Sequence, residues 1–389
     1  MSVIHEEIES VELDEIQPKC YENGNRWLRF QSWSFYLPDF NCEKYNFHKS
    51  RTLFFYGPFI TPWTLWNSFK RIRVLDLSLI MFIMVPNIDI EDLILLRYLC
   101  LSSIKYVGAI KHHCNLQTLI VKDPNVDGSQ DDAGSEWLHG VWKSQSLRCI
   151  KYPYHFPKHI DEDVVQENLQ TLYWLPDFQC TKQFVLRILN VQVLAIRCVV
   201  ESEFQIQTWW ENLCYLAKLK KLKVYSFCPS TSPLPSISTF PQQLKKLTLI
   251  RVLLQWEAIT AFSMLPNLEV LKLIRAECMG EKWETIDGGF LKLKFLFISD
   301  AELKYWSSTG DHFPVLERLA LHYCYDLEEI PMGFVDVLTL QLIDLKACTP
   351  PLVQSARQIR DEQETLYGYD ELIVRDYDTY SGLTSLHIF

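Results

Sequence analysis

Three groupings of side chains have the residue types that metal or acid–base chemistry needs. His112-His113-Cys114 puts three donors in a row, His155 and His159 stand four apart, and Asp161-Glu162-Asp163 is a run of carboxylates. Each fails on spacing. A structural zinc site draws on two separated ligand pairs, and no second pair accompanies residues 112–114. Pro157 stands between His155 and His159 and breaks the helix that would bring both onto one face. The carboxylate run has the composition of a solvated loop. The signatures G-x-S-x-G, H-E-x-x-H and G-x-x-x-x-G-K-[ST] are absent, and no Gly precedes a Lys. Twelve Cys, from Cys20 to Cys348, include no C-x-x-C pair, which points to buried free thiols in a reducing compartment. The expectation is a chain without catalysis, metal or cofactor.

The chemistry left is that of binding. Lys221, Lys223 and Tyr225 interleave with Leu222 and Val224. Lys246 precedes Leu247, Lys272 lies between Leu271 and Leu273, and Phe295 and Phe297 flank Leu296. Arg318 and His322 bracket Leu319 and Leu321, and Lys346 follows Leu345. Alternation with period two is that of a strand, so the leucines face one side and the cations and rings the other. The same alternation puts Tyr98 and Tyr173 on the outward side. The alternative for the lysines is an ordinary solvated sheet face.

The elements that would position these groups repeat along the chain. The pattern LxxLxL, with Ile, Val or an aromatic at some positions, occurs twelve times, centred on residues 75, 99, 119, 150, 172, 194, 222, 247, 271, 296, 319 and 343. Most steps are 20 to 25 residues and two are longer, 31 and 28. That period is the signature of a leucine-rich repeat. No single unit can bury its leucines alone, but stacked parallel strands bury them in one continuous core. The predicted fold is therefore α/β: a curved leucine-rich-repeat solenoid of about 12 repeats, with a parallel concave sheet and an irregular or helical convex side.

The expected boundaries are an acidic, unstructured segment over 1–25, an N-terminal cap region over 26–68, repeats over 69–350, and a capping helix, last strand and tail over 351–389. The first fifteen residues hold six acids and no Lys or Arg. Residues 123–137 read as a polar loop, and the stretch from Glu201 to Leu219 has helical spacing. Residues 351–366 read as the capping helix, followed by a strand at 371–374. Cys324 and Cys348, three residues after Leu321 and Leu345, suit the turn position where a thiol meets backbone carbonyls.

Net charge is −10, which argues against general nucleic-acid affinity. There is no signal peptide, no N-x-[ST] site and no apolar run of the roughly 20 residues a span requires, so a cytoplasmic chain with no membrane span is expected. These features also argue against the ectodomain of a surface receptor. Aligned outward cations would form a basic concave strip, which favours an acidic protein partner.

The block FPVLERLALHYCYDLEEIPMGFVDVLTLQLIDLKACTPPLVQSARQIRDEQE, residues 313–364, resembles the C-terminal repeats of plant intracellular coiled-coil, nucleotide-binding, leucine-rich-repeat immune receptors, in particular the late blight resistance group of nightshade plants. FKRIRVLDLS (69–78), LLRYLCLSS (95–103), NLQTLIV (115–121) and VWKSQSLRCI (141–150) resemble that group's first repeats in order. The resemblance implies an effector-sensing and autoinhibitory repeat domain. Its partners would be a nucleotide-binding domain in cis or trans, and a pathogen effector or guarded host protein. The chain departs from the family in lacking a phosphate-binding loop, so nucleotide binding does not carry over. The alternative is a leucine-rich-repeat substrate receptor of a ubiquitin ligase, which needs a helical F-box pattern that residues 1–50 do not show.

Overall fold

The computed structural model describes residues 10–12, 27–31, 50–57, 69–80, 90, 93–102, 113–122, 133–152, 163–176, 180–198, 208–226, 237, 240–275 and 278–377. The chain divides into two units, Met1–Trp174 and Leu175–Phe389.

In the first unit, parallel strands follow one another at Ser10–Glu12, Trp27–Gln31, Thr52–Gly57, Val74–Ile80, Tyr98–Leu101, Thr118–Val121, Cys149–Lys151 and Thr171–Pro176. Register aligns Leu53, Leu75, Leu99, Leu119, Ile150 and Leu172 in one row. Every member of that row is fully buried. In the second unit the strands are Val193–Cys198, Lys221–Ser226, Lys246–Ile250, Val270–Ile274, Phe295–Ser299, Arg318–His322, Leu342–Lys346 and Ile373–Tyr377. Leu194, Leu222, Leu247, Leu271, Leu296, Leu319, Ile343 and Val374 form the corresponding row. All twelve predicted repeat centres lie in these rows with their side chains buried.

The strands at Trp27–Gln31 and Thr52–Gly57 carry the sheet into the predicted cap region, and Ser10–Glu12 carries it into the segment expected to lack structure. At the other end a helix spans Pro350–Tyr367, buries Leu352, Val353, Ala356 and Ile359, and stops at Gly368 in left-handed conformation. The loop expected over 123–137 gives way to a helix at Ala133–Trp142, because Leu138, Val141 and Trp142 offer a buried stripe at helical spacing. In the 201–219 stretch the described helix is a 3₁₀ segment, Thr208–Tyr215.

Five of the eight strands of the second unit end in the same way. Arg251, Arg275, Asp300, Tyr323 and Ala347, each directly after a strand, have φ between 48 and 55°. This left-handed turn costs a non-glycine residue about 1 kcal/mol. In exchange, its N–H reaches the next strand: Arg275 N donates to Ser299 O at 2.8 Å and Tyr323 N to Lys346 O at 2.7 Å. The thiols that follow fill the turn, Cys348 Sγ lying 3.1 Å from Leu321 O and Cys324 Sγ 3.6 Å from His322 O. Behind the sheet, Trp256, Trp283 and Trp306 stack at 5.2 and 5.1 Å, while Phe290 and Phe313 stack at 5.1 Å. Short parallel pairs, Leu254–Gln255 with Cys278–Met279 and Lys282–Glu284 with Tyr305–Ser307, run on that side.

Candidate protein-binding face

Parallel register turns the outward residues of the second unit into three rows. One runs Lys221, Lys246, Val270, Phe295, Arg318 and Leu342. The middle row runs Lys223, Thr248, Lys272, Phe297, Ala320 and Asp344. The third runs Tyr225, Ile250, Ile274, Ser299, His322 and Lys346. All ten residues singled out from the sequence share this face, with Lys221 and Arg318 exposed and the others half-buried.

The centre of the face is a cluster of cations on rings. Lys272 Nζ lies 5.0 Å from the Phe295 ring centre and 5.5 Å from that of Phe297. Arg318 Cζ is also 5.0 Å from the Phe295 centre. Phe297 meets the His322 ring edge-on at 4.9 Å. Ring quadrupoles favour the cations here, but their neighbours do not. Burial, then the charges of Lys246 and Arg318, push the Lys272 ammonium below its ordinary pKa. Burial, then Lys246, does the same to Lys223. Among the described residues, no carboxylate lies within ion-pair distance of Lys221, Lys246, Lys272 or Arg318.

The lysines at the entry to the strands are different. Lys245 pairs with Glu269 at 2.7 Å and Lys294 with Glu317 at 2.6 Å, each bridging to the next repeat. Lys292 Nζ donates to Asn267 Oδ1 and Lys218 Nζ to Asn190 Oδ1. Charge is thus neutralised or hydrogen-bonded along the sheet's entry edge, whereas Lys221, Lys246, Lys272 and Arg318 on its face have no carboxylate beside them among the described residues. Such a face can accept carboxylates and cover apolar surface.

Sequence reasoning missed the acid on this face. Asp344, between the inward Ile343 and Leu345, sits beside Ala320 and Arg375 in the middle row. His322 Nε2 is 3.4 Å from its Oδ2. The basic strip therefore stops at Arg318, and Lys346 stands past the break with Nζ 5.5 Å from the Tyr323 ring centre. Alternation alone would have found Asp344, had acids been read off the outward positions together with cations.

Elsewhere, His113 is buried with Nε2 2.9 Å from Ile90 O, and Cys114 and Asp163 are exposed. His112, His155, His159, Asp161 and Glu162 lie outside the described residues. No described helix is long and apolar enough to cross a membrane.

No family model matches the chain. Two late blight resistance protein homologs of Solanum demissum are 30% identical to it over 316 and 311 residues, 76% of this chain in each case. The matches span 22% and 38% of those relatives, so the chain corresponds to a minor part of their length. Among solved structures, a leucine-rich-repeat protein of Leptospira interrogans superposes with a TM-score of 0.54 at 18% identity, over 90% of this chain and 89% of the other. The fold is a leucine-rich-repeat solenoid, and its repeats are homologous to a portion of the late blight resistance protein homologs.

Proposed function

We propose that this leucine-rich-repeat chain is a protein-binding module of plant immunity, acting in the cytoplasm without catalysis and docking an acidic partner surface on its outward sheet face. One observation carries the reading: Lys246, Lys272 and Arg318 crowd together without a carboxylate among the described residues, while Lys245 and Lys294, at the entry to the strands, are paired. A cluster that repels itself in the free chain gains most when a partner supplies the missing acids. Phe295 and Phe297 at its centre are suited to be anchors, since binding energy concentrates in buried rings and arginines. By likeness to the late blight resistance group, the acidic partner is a nucleotide-binding domain, held inactive in cis or in trans. A pathogen effector or guarded host protein would compete for, or extend, the same face.

The test is titration calorimetry of the purified chain with the nucleotide-binding domain of a Solanum demissum relative. Replacing Lys221, Lys223, Lys246 and Lys272 by Glu is expected to weaken binding by about a hundredfold or more. Wild-type affinity should also fall as salt rises. Circular dichroism establishes that the variant remains folded. Unchanged affinity in the folded variant overturns the assignment.

A further inference from the structure

The sheet of the second unit ends in an edge beyond the lysine cluster of the proposed docking face. Ile373–Tyr377 pairs with Leu342–Lys346 on one side, and among the described residues no strand pairs with the other. Ile373 N donates to Gln341 O, and Tyr377 O accepts from Ala347 N. Alternate residues of a parallel strand bond to the same side. The N–H and C=O groups of Val374 and Asp376 therefore point to the open edge. Ile373 and Tyr377 are each about half exposed, 52% and 50%.

Charge marks this edge too. Register puts Asp376 in a row otherwise made of Ile196, Val224, Leu249, Leu273, Ile298, Leu321 and Leu345. A carboxylate thus ends the second leucine row, and Arg357 of the terminal helix meets it. A cleft of about 590 Å³ runs along the edge, lined by Arg357, Arg360, Val374, Arg375, Asp376 and Tyr377. The lining holds three arginines and one carboxylate. Arg375 forms no ion pair among the described residues, and Arg360 holds only its neighbour Asp361 at 2.8 Å.

We infer that this edge takes up an acidic, extended peptide segment of another protein as one more strand. Open backbone groups give such a segment its affinity, and the pattern of side chains gives it selectivity. Arg375 also weighs against one register of a competing occupant. Two copies of this chain pairing antiparallel and centred on Arg375 would set Arg375 against itself, which like charges oppose. Charge on an edge strand guards against self-association, and here it does so while leaving the edge attractive to carboxylates.

Fluorescence anisotropy of the full chain, with a labelled peptide alternating valine and glutamate as probe, tests this. The probe should bind at least about tenfold tighter than its valine–lysine counterpart, and replacing Arg360 and Arg375 by Glu should reverse that order. N-methylating every second peptide nitrogen, on the side that would meet the strand, should abolish binding. That result separates strand addition from adhesion by charge alone. Equal binding of both peptides, or full binding of the N-methylated probe, overturns the inference. Binding that emerges only after deletion of residues 378–389 also overturns it, because the chain's own tail would then be the occupant. Arg375 continues the middle row of the docking face, and the acidic probe is attracted to the lysine cluster too. The variant with Lys221, Lys223, Lys246 and Lys272 replaced by Glu is therefore the control. Unchanged probe binding there supports the edge and loss of binding there overturns the inference, so the two assignments fail separately.

Discussion

The outward sheet faces of the two units solve the same problem with opposite chemistry. In the first unit the face carries Asp76, Tyr98, Cys100, Cys149, Lys151 and Tyr173. Burial pushes the phenols of Tyr98 and Tyr173 and the thiols of Cys100 and Cys149 upward. These groups are neutral at pH 7, so losing water costs them little. In the second unit, burial and like charge push Lys223 and Lys272 downward. Those groups are cationic at pH 7, and the same loss of water destabilises them. One face loses water at little cost, whereas the other holds a cluster of like charges.

The inward rows provide the control for that comparison. Leu119 and Leu247 are fully buried at equivalent repeat centres, one in each unit. Leu119→Ala and Leu247→Ala should each cost about 2–5 kcal/mol in urea unfolding. A much smaller loss for one of them would mean that the repeats are not equivalent beneath the two faces.

The next largest effect contrasts two buried glutamines. Gln363 Nε2 lies 3.2 Å from each of the carbonyls of Phe334, Val335 and Val337, while Gln166 Nε2 donates to Trp142 O. Gln363→Leu removes the donor from a cluster of buried acceptors and should cost about 1–3 kcal/mol. Gln166→Leu orphans one carbonyl and should cost less by the same measurement. Equal losses would show that volume, not hydrogen bonding, sets the role of these positions.

What could be read from the sequence follows the same inward–outward division. Leu247 and its counterparts were legible because a period of 20–25 residues and a period of two coincide at each one. The outward lysines followed from the same alternation. The strand Thr52–Gly57 was less legible, since TLFFYG replaces the second leucine with aromatics and breaks register against its neighbour between Phe54 and Tyr56. The short pairs behind the sheet, such as Lys282–Glu284 with Tyr305–Ser307, have no local period at all. They form because the tryptophans at 283 and 306 stack, a contact between repeats that no single segment encodes. The split between paired and unpaired lysines was also hidden: Lys245 and Lys246 are adjacent in sequence, and only register gives Glu269 to the first.

The destabilisation attributed to the second face can be tested without a partner. Lys223→Met and Lys272→Met remove the charge and keep an apolar stem, so together they should stabilise the chain by a few tenths of a kcal/mol at pH 7. Lys151→Met, on the first face, should not. No gain in the double variant would mean that the rings of Phe295 and Phe297 fully offset the repulsion at Lys272.

The smallest effect is also the most diagnostic, because its sign differs between the faces. A lysine whose folded pKa lies below its ordinary 10.5 is charged in both states at neutral pH, and its cost is fully present there. As pH rises through the folded pKa, the native lysine loses its proton first, and the cost fades until the unfolded chain has lost its proton too, above 10.5. The advantage of the Lys223→Met, Lys272→Met double variant should therefore shrink between neutral pH and 10.5. Tyr98 behaves oppositely. Its folded pKa is raised above the ordinary 10.0, so its neutral form contributes stability that is complete below that pH and lost as pH rises further. Tyr98→Phe should accordingly leave the pH dependence untouched up to about 10 and flatten it above. Urea midpoints of the wild type and both variants across this range measure the two trends. If the double variant's advantage is constant with pH, its origin is apolar burial rather than charge, and the electrostatic distinction between the faces fails.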